Sequence, residues 1–299
     1  MKKLIFLTAA IILPFLFASC SEDDNETRNG TLKLSLTDAP LDSEGITGVH
    51  ITVSEVQYHI QDNEWKTFED FDGPQSYNLL DLTRGESNML GQFELSPGTY
   101  TQLRFMLDAP ERGQGSPSNP GCYLEFEDGS EQSLFVPSGS QSGYKATGQF
   151  TVPVNGTVSV TADFDARKSV VKAGASGKYI LKPTIRLVVD NQAGSIYGTV
   201  TNAPADTSVV VYTYETGSYN EEEAADPVEE EAIRFPNAIS SDMVDEEYDY
   251  KLAYLAPGSY DLIVVGTVEG EFASVLGTVE AVEVTSENET IADINIDEL

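Results

Sequence analysis

Asp163, Asp165 and Arg167 stand at alternate positions at the end of a run in which Val158, Val160, Ala162 and Phe164 supply the apolar residues. In an extended strand, residues two apart point to the same side about 6 to 7 Å from one another. All three charged groups would then share one face, opposite Val160, Ala162 and Phe164. Two carboxylates and a guanidinium so placed suit a metal or anion site. The reading adopted is an ion ladder completed by Arg104, Lys182 or Arg186, because an arginine beside an aspartate ordinarily neutralises it. Asp38, just before Ala39-Pro40, reads as a turn organiser that bonds its own backbone. Trp65 is the sole tryptophan, between Glu64 and Lys66 in a short strand. It suits a carbohydrate platform or, the reading adopted, a core anchor.

Other chemistries find less support. The two histidines, His50 and His59, both fall in the run 49–60, and the chain has no Gly-x-Ser-x-Gly elbow. They read as strand residues at a sheet surface. No pair of carboxylates lies in an apolar setting suited to glycoside hydrolysis, and no Gly-rich loop enters a helix. An EF-hand begun at Asp70 needs Gly sixth and Glu twelfth but meets Gln75 and Asp81. Calcium held by sheet-edge loops, or weakly along 221–231, stays open. Cys122 has no CxxC or Cys/His spacing around it and reads as a small apolar side chain. No catalytic centre and no cofactor are expected.

The elements that must position these residues are strands. Leu32, Leu34 and Leu36 alternate, as do Val49, Ile51 and Val53, with Asp-Gly, Pro-Gly and Asn-Gly steps between runs and no apolar stripe at helical spacing. In the run 49–60 the apolar phase slips at Ser54-Glu55, so that Val56, Tyr58 and Ile60 continue the core face; this predicts a bulge. A polar interval at 190–194 marks a boundary. Beyond it, strands are expected at 195–200, 209–214, 248–255, 260–266, 272–284 and 291–296. The Glu-rich stretch 215–247 interrupts them and reads mostly as a mobile loop, with Phe235-Pro-Asn-Ala-Ile239 docking back on the sheet. Leu95-Ser-Pro97-Gly98-Thr-Tyr100 and Leu255-Ala-Pro257-Gly258-Ser-Tyr260 repeat one motif. In each, Pro-Gly makes the turn and the tyrosine opens the next strand with its hydroxyl free to bond nearby backbone, as in a tyrosine corner.

The 299 residues include 17 basic and 49 acidic ones, a formal net charge of -32. Binding to phosphate backbones relies on Lys and Arg displacing counterions, so nucleic acid is excluded as a partner. From Ala193 onward there are 24 acidic and 2 basic residues, which concentrates the acidity in the C-terminal third. At the other end, Lys2 and Lys3 precede an apolar stretch, 4–17, followed by Ala18-Ser19-Cys20. A basic start, an apolar middle too short for a permanent span and small residues at the end are the parts of a secretory signal peptide.

Leu16-Phe17-Ala18-Ser19-Cys20 resembles a bacterial lipobox, which implies cleavage before Cys20 and its diacylation. Each buried methylene contributes about 0.8 kcal/mol, so two or three chains anchor where one does not. Ser21-Glu22-Asp23-Asp24 looks like the acidic export signal of Bacteroidota-type surface lipoproteins. Leu34-Ser-Leu-Thr-Asp-Ala-Pro40, Leu79-Leu-Asp-Leu-Thr83, Pro97-Gly-Thr-Tyr-Thr-Gln-Leu-Arg104, Asp163-Phe-Asp-Ala-Arg-Lys-Ser-Val170 and Tyr179-Ile-Leu-Lys-Pro-Thr-Ile-Arg186 resemble the bacterial domain-of-unknown-function family "forty-three eighty-two" over about 29–189. The C-terminal unit is similar to carboxypeptidase-regulatory-like sandwiches. The expected organisation is a signal peptide (1–19), an acidic tether (20–30), a β-sandwich (31–190) and a second sandwich (194–299) with its insertion at 215–247. The fold class is all-β, with two antiparallel immunoglobulin-like or transthyretin-like sandwiches. The expected role is a non-enzymatic outer-membrane lipoprotein facing the cell exterior, with a structural, adhesive or ligand-presenting function. Its partners would be the membrane, through the lipid, and an extracellular protein or glycan. An accessory glycan- or calcium-binding lipoprotein of an uptake or polymer-assembly system is the alternative.

Overall fold

The structure is a computed structural model that describes residues 28–39, 45–59, 64–109, 121–137, 142–173, 177–228 and 232–299. The leader and Cys20 lie outside the described residues. The N-terminal half contributes β1 (Gly30–Ala39), β2 (Ile46–His59), β3 (Trp65–Thr67), β4 (Gln75–Asn78), β5 (Asn88–Leu95), β6 (Gly98–Leu107), β7 (Tyr123–Phe126), β8 (Glu131–Phe135), β9 (Tyr144–Val152), β10 (Thr157–Asp165), the single-turn helix α1 (Ala166–Ser169), β11 (Val170–Ala173), β12 (Lys178–Leu181) and β13 (Ile185–Val189). The C-terminal half contributes β14 (Gly194–Thr201), β15 (Ser208–Glu215), β16 (Ser240–Met243), β17 (Asp249–Leu255), β18 (Gly258–Val268), β19 (Glu271–Val284), β20 (Glu289–Ile291) and β21 (Ile294–Asn295).

The fold is all-β. Among the described residues, the N-terminal strands join in the order β11-β12-β8-β7-β2-β6-β9-β13-β10-β1-β5, with β3 and β4 also paired to β2. The sheets are mixed rather than purely antiparallel: β1 runs parallel to β10, β9 to β13, β8 to β12, and β14 to β20 and β21. Alternation in a sequence sets which face a side chain takes, not which strand lies beside it. The phase slip at Ser54-Glu55 coincides with a register shift between Val53 and Glu55 in the β2–β6 ladder. Val56 accordingly rejoins the core, which runs through Leu34, Ile51, Leu103, Phe105, Phe150 and Val160.

In the C-terminal half, β17-β14-β20 with β21 form one sheet and β16-β15-β18-β19 the other. Ile196, Tyr250, Leu252, Val211, Leu262 and Val264 meet between them. Val209 to Tyr212 and Leu262 to Val265 are continuous apolar runs, so their strands need cover on both faces. A further apolar cluster supplies it: Val210, Tyr212, Tyr214, Ile263 and Val265 on the second face pack under Phe235 and Ala238. Among its described residues the acidic excursion therefore supplies a packed cover, through Tyr219, Ala224, Phe235 and Ala238, rather than reading mostly as a mobile loop. It holds a 3-10 turn at Glu221–Ala224, and Glu223 accepts from the Tyr214 hydroxyl at 2.9 Å and from the Asn237 side-chain amide at 3.0 Å. Phe235, 1% exposed, stacks on Tyr212 with ring centroids 4.4 Å apart. Burying an aromatic ring in this way contributes about 1.5–3 kcal/mol, enough to hold a charged segment against the sheet.

Candidate functional site

Four of the residues singled out from the sequence converge where β1, β10 and α1 meet the C-terminal half. Asp163 lies on β10 as expected, and Arg186, directly opposite in the β10–β13 ladder, donates to its Oδ2 from Nε at 2.6 Å. Asp165 ends the strand. Its Oδ1 caps α1 by accepting the Lys168 backbone N–H at 3.0 Å, and its carbonyl accepts the Ser169 hydroxyl at 2.5 Å. That local bonding turns the chain out of the ladder, so Arg167 sits on a helical turn and does not continue the Asp163–Asp165 face. The three-residue ladder is replaced by two separate pairs, Asp163 with Arg186 and Asp165 with Lys168.

Arg167 instead enters the C-terminal half. It is 3% exposed, its Nη1 donates to the carbonyls of Arg234 at 3.2 Å and Phe235 at 3.0 Å, and its guanidinium lies 5.4 Å from the Tyr212 ring centroid. Lys168 Nζ donates to the Ala238 carbonyl at 2.6 Å. Burial lowers the pKa of that amine, against the opposing charge of Asp165. Two successive cations thus bond the very segment that covers the outer face of β15 and β18.

Asp38 is a strand residue rather than a turn organiser. Its Oδ1 accepts the Ala166 backbone N–H at 2.8 Å, across from the neighbouring strand, because the parallel β1–β10 register sets Asp38 beside Phe164 at the point where β10 gives way to α1. Burial pushes its carboxyl well above the usual carboxylate range, with Asp163 and Asp165 adding to the rise and the Ala166 bond opposing it. Burial likewise raises Asp163, against the pull of Arg186. Asp38 Oδ2 has no hydrogen-bond partner and lines a narrow crevice with Arg84, Ser240, Ser241, Lys251 and Tyr254.

Arg84 and Asp242 complete the junction, and neither stood out from the sequence. Arg84 adopts a left-handed conformation, φ 58°, just before Gly85, and this turn aims its side chain across to the C-terminal half. Its Nε lies 3.2 Å from Asp242 Oδ2, and its Nη1 donates to Asp245. Asp242 Oδ2 also accepts the Lys251 backbone N–H at 2.7 Å. Burial raises the Asp242 carboxyl to about 7, although that bond and Arg84 pull it down. Burial would lower Arg84, but the bond to Asp245 and the charge of Asp242 prevail and raise it. The available clue was scarcity: after Ala193 the chain has two basic residues, so a buried acid there must draw a cation from the N-terminal half.

The remaining candidates lie elsewhere. The Tyr100 hydroxyl donates to the Ser96 carbonyl at 2.9 Å and that of Tyr260 to the Ala256 carbonyl at 2.7 Å, each across its Pro97-Gly98 or Pro257-Gly258 turn. Trp65 is half-buried on β3 rather than a core anchor, and the Arg104 guanidinium lies over its ring at 3.9 Å. The His50 ring stacks on Tyr123 at 4.3 Å and its Nε2 meets Glu125 at 3.2 Å. Cys122 is buried, and burial pushes its thiol up to about 12. Among the described residues no group of three or more His, Cys, Asp or Glu could hold a metal ion. An open groove of about 800 Å³ is lined by Gln149, Thr151, Ser159, Asp190 and Gln192 among others, and Asp190 there accepts the Thr161 hydroxyl at 2.8 Å. Among the described residues no helix is long and apolar enough to cross a membrane.

No curated protein matches the chain. Among solved structures, the minor pilin GBS52 of Streptococcus agalactiae is similar at 12% identity over 88% of this chain and 94% of its own, with a TM-score of 0.22. The shaft pilin SpaA of Lactobacillus rhamnosus GG is similar at 8% identity over 89% of this chain and 98% of its own, with a TM-score of 0.22. The Bacillus anthracis TIE protein is similar at 11% identity over 89% of this chain, which spans 33% of that protein, with a TM-score of 0.21. Residues 29–183, just over half of the chain, match the family described as Domain of unknown function (DUF4382), and the chain belongs to that family.

Proposed function

We propose that this chain is a non-enzymatic, surface-exposed lipoprotein whose two β modules, 31–190 and a carboxypeptidase-regulatory-like 194–299, act as one structural, adhesive or ligand-presenting unit. The supporting observation is where its charged residues are used. Arg167 and Lys168 bond the backbone of residues 234, 235 and 238, and Arg84 bonds Asp242 and Asp245. Groups that could have done chemistry are thus engaged in joining the two halves. A buried cation bonded to carbonyls has little freedom to meet a substrate, whereas it resists separation of the parts it joins.

The anchor in this reading is the acylated Cys20, on the outer membrane and facing the exterior. Changing Cys20 to Ala is expected to move the protein from the membrane fraction into the soluble fraction and to remove the fatty-acyl mass from its N-terminus. Retention of the variant on membranes would overturn the anchoring. A glycan-binding accessory role is the second reading, favoured by the half-buried Trp65 beneath Arg104.

A further inference from the structure

The outer face of the β3-β2-β6-β9 region places two cations together where a sheet would ordinarily pair opposite charges. In antiparallel ladders, directly opposed residues share a face. Thr67 opposes Gln57, Gln57 opposes Arg104, and Arg104 opposes Lys145, which makes one continuous row across four strands. Trp65 opposes His59 two residues along, and Gln102 opposes Thr147 on the other flank. Like charges directly opposite one another destabilise a sheet. Among the described residues neither Arg104 nor Lys145 forms an ion pair, in a chain with 49 acidic residues.

Glu55, which shares that face through its neighbours Gln57 and Thr67, is occupied by neutral donors. Glu55 Oε1 accepts from Gln57 Nε2 at 2.6 Å and from Thr67 Oγ1 at 2.5 Å. Arg104 is held by other means: its guanidinium lies 3.9 Å from the Trp65 centroid and its Nη1 donates to Gln57 Oε1 at 3.4 Å. Lys145 Nζ comes within 5.8 Å of the same ring. Arg104 Nε is buried without a hydrogen-bond partner. Cation–π contact restrains the plane of a guanidinium without neutralising it, so the fork is oriented in advance and its charge left available.

We propose that Trp65, Arg104 and Lys145 form a receptor for an isolated carboxylate on a sugar, that is, a uronic-acid residue within an otherwise neutral glycan. Arg104 supplies the planar fork that matches a carboxylate, and Lys145 supplies a second charge beside it. Around the pair, Gln57, Gln102 and Thr147 offer amides and a hydroxyl, the groups that hydrogen-bond sugar hydroxyls. Among the described residues of this face, Trp65 and Met106 are the large apolar ones, set among Glu55, Gln57, Gln102, Arg104, Lys145 and Thr147. A dense polyanion is opposed by the net charge of -32, whereas a carboxylate flanked by neutral rings meets mainly the local pair. This inference rests on the ligand-presenting part of the proposed function and is independent of how the protein is anchored.

Because Trp65 is the only tryptophan, its fluorescence reports the site directly. Purified protein is titrated with a hyaluronan hexasaccharide, in which a neutral sugar separates successive carboxylates. Parallel titrations use a neutral cello-oligosaccharide, a heparin hexasaccharide and a Glu-rich peptide. A saturable change in emission with hyaluronan alone is expected, weakened about tenfold by Lys145→Gln or Arg104→Gln and weakened also by added salt. Lys145 is exposed, so its replacement leaves the fold intact, and circular dichroism checks both variants. The proposal is overturned by no response to hyaluronan, by an equal response to the neutral sugar, by stronger binding of heparin or the peptide, or by unchanged binding in folded Lys145→Gln. None of these results bears on whether Cys20→Ala leaves the membrane, so the two readings fail separately.

Discussion

Asp242→Asn tests the junction through a single proton. The Asp242 side chain is 3% exposed and its carboxyl is raised to about 7 from an ordinary 3.8. Between those values the folded protein keeps a proton that the unfolded chain has released. The contribution of this group to stability is therefore fully present below about pH 4 and is lost as pH rises through 7. A rise of about 3 units at 1.36 kcal/mol per unit amounts to about 4 kcal/mol by pH 8. Asparagine has the same shape, can still accept the Lys251 N–H, and never ionises. Its one amide oxygen can take the place of Oδ2, which faces both the Lys251 N–H and Arg84, but an amide nitrogen replaces the second oxygen of a carboxylate that also accepts the Met243 backbone N–H, a pH-independent cost of about 1–2 kcal/mol. The variant should then be less stable than the parent near pH 4, more stable by about 2 kcal/mol at pH 8, and cross it in between. Urea unfolding followed by far-UV circular dichroism from pH 4 to 8 measures this directly. Parallel pH profiles for parent and variant would refute the reasoning, because every other titrating group is common to both.

Two further outcomes are expected. Phe235→Ala removes a ring that is 1% exposed and stacked on Tyr212, and should cost about 3–5 kcal/mol locally; it is checked by faster proteolytic cleavage within 215–247, and an unchanged cleavage rate would count against the covering role of that segment. Tyr100→Phe and Tyr260→Phe each leave a backbone carbonyl without its hydroxyl donor and should lower stability by about 1–2 kcal/mol, read from thermal melts; no loss in either would show that the hydroxyl bonds are not what fixes those turns.

The sequence by itself determined the clearly alternating strands, the two Pro-Gly turns and the faces those strands present, though not β16 inside the Glu-rich stretch nor the break of 291–296 into β20, β21 and a 3-10 turn. Leu32, Leu34 and Leu36 alternate into the core, the slip at Ser54-Glu55 marks a register shift, and Pro97-Gly98 and Pro257-Gly258 mark turns. These features depend on neighbours within a few residues, where steric limits and the two-residue period leave little choice. The tertiary structure decided which of those faces meet. Arg167 leaves its strand because Asp165 and Ser169 bond into a turn, a local alternative to the ladder that alternation does not encode. Asp38 meets Ala166 because β1 runs parallel to β10, Arg84 meets Asp242 because the C-terminal half has almost no cations of its own, and Trp65, Arg104 and Lys145 meet because three separated strands fall in register. A pattern of period two fixes the side of the sheet a residue occupies but is the same for every partner strand. The pairing, and with it each charged contact, is chosen by the closure of the whole core.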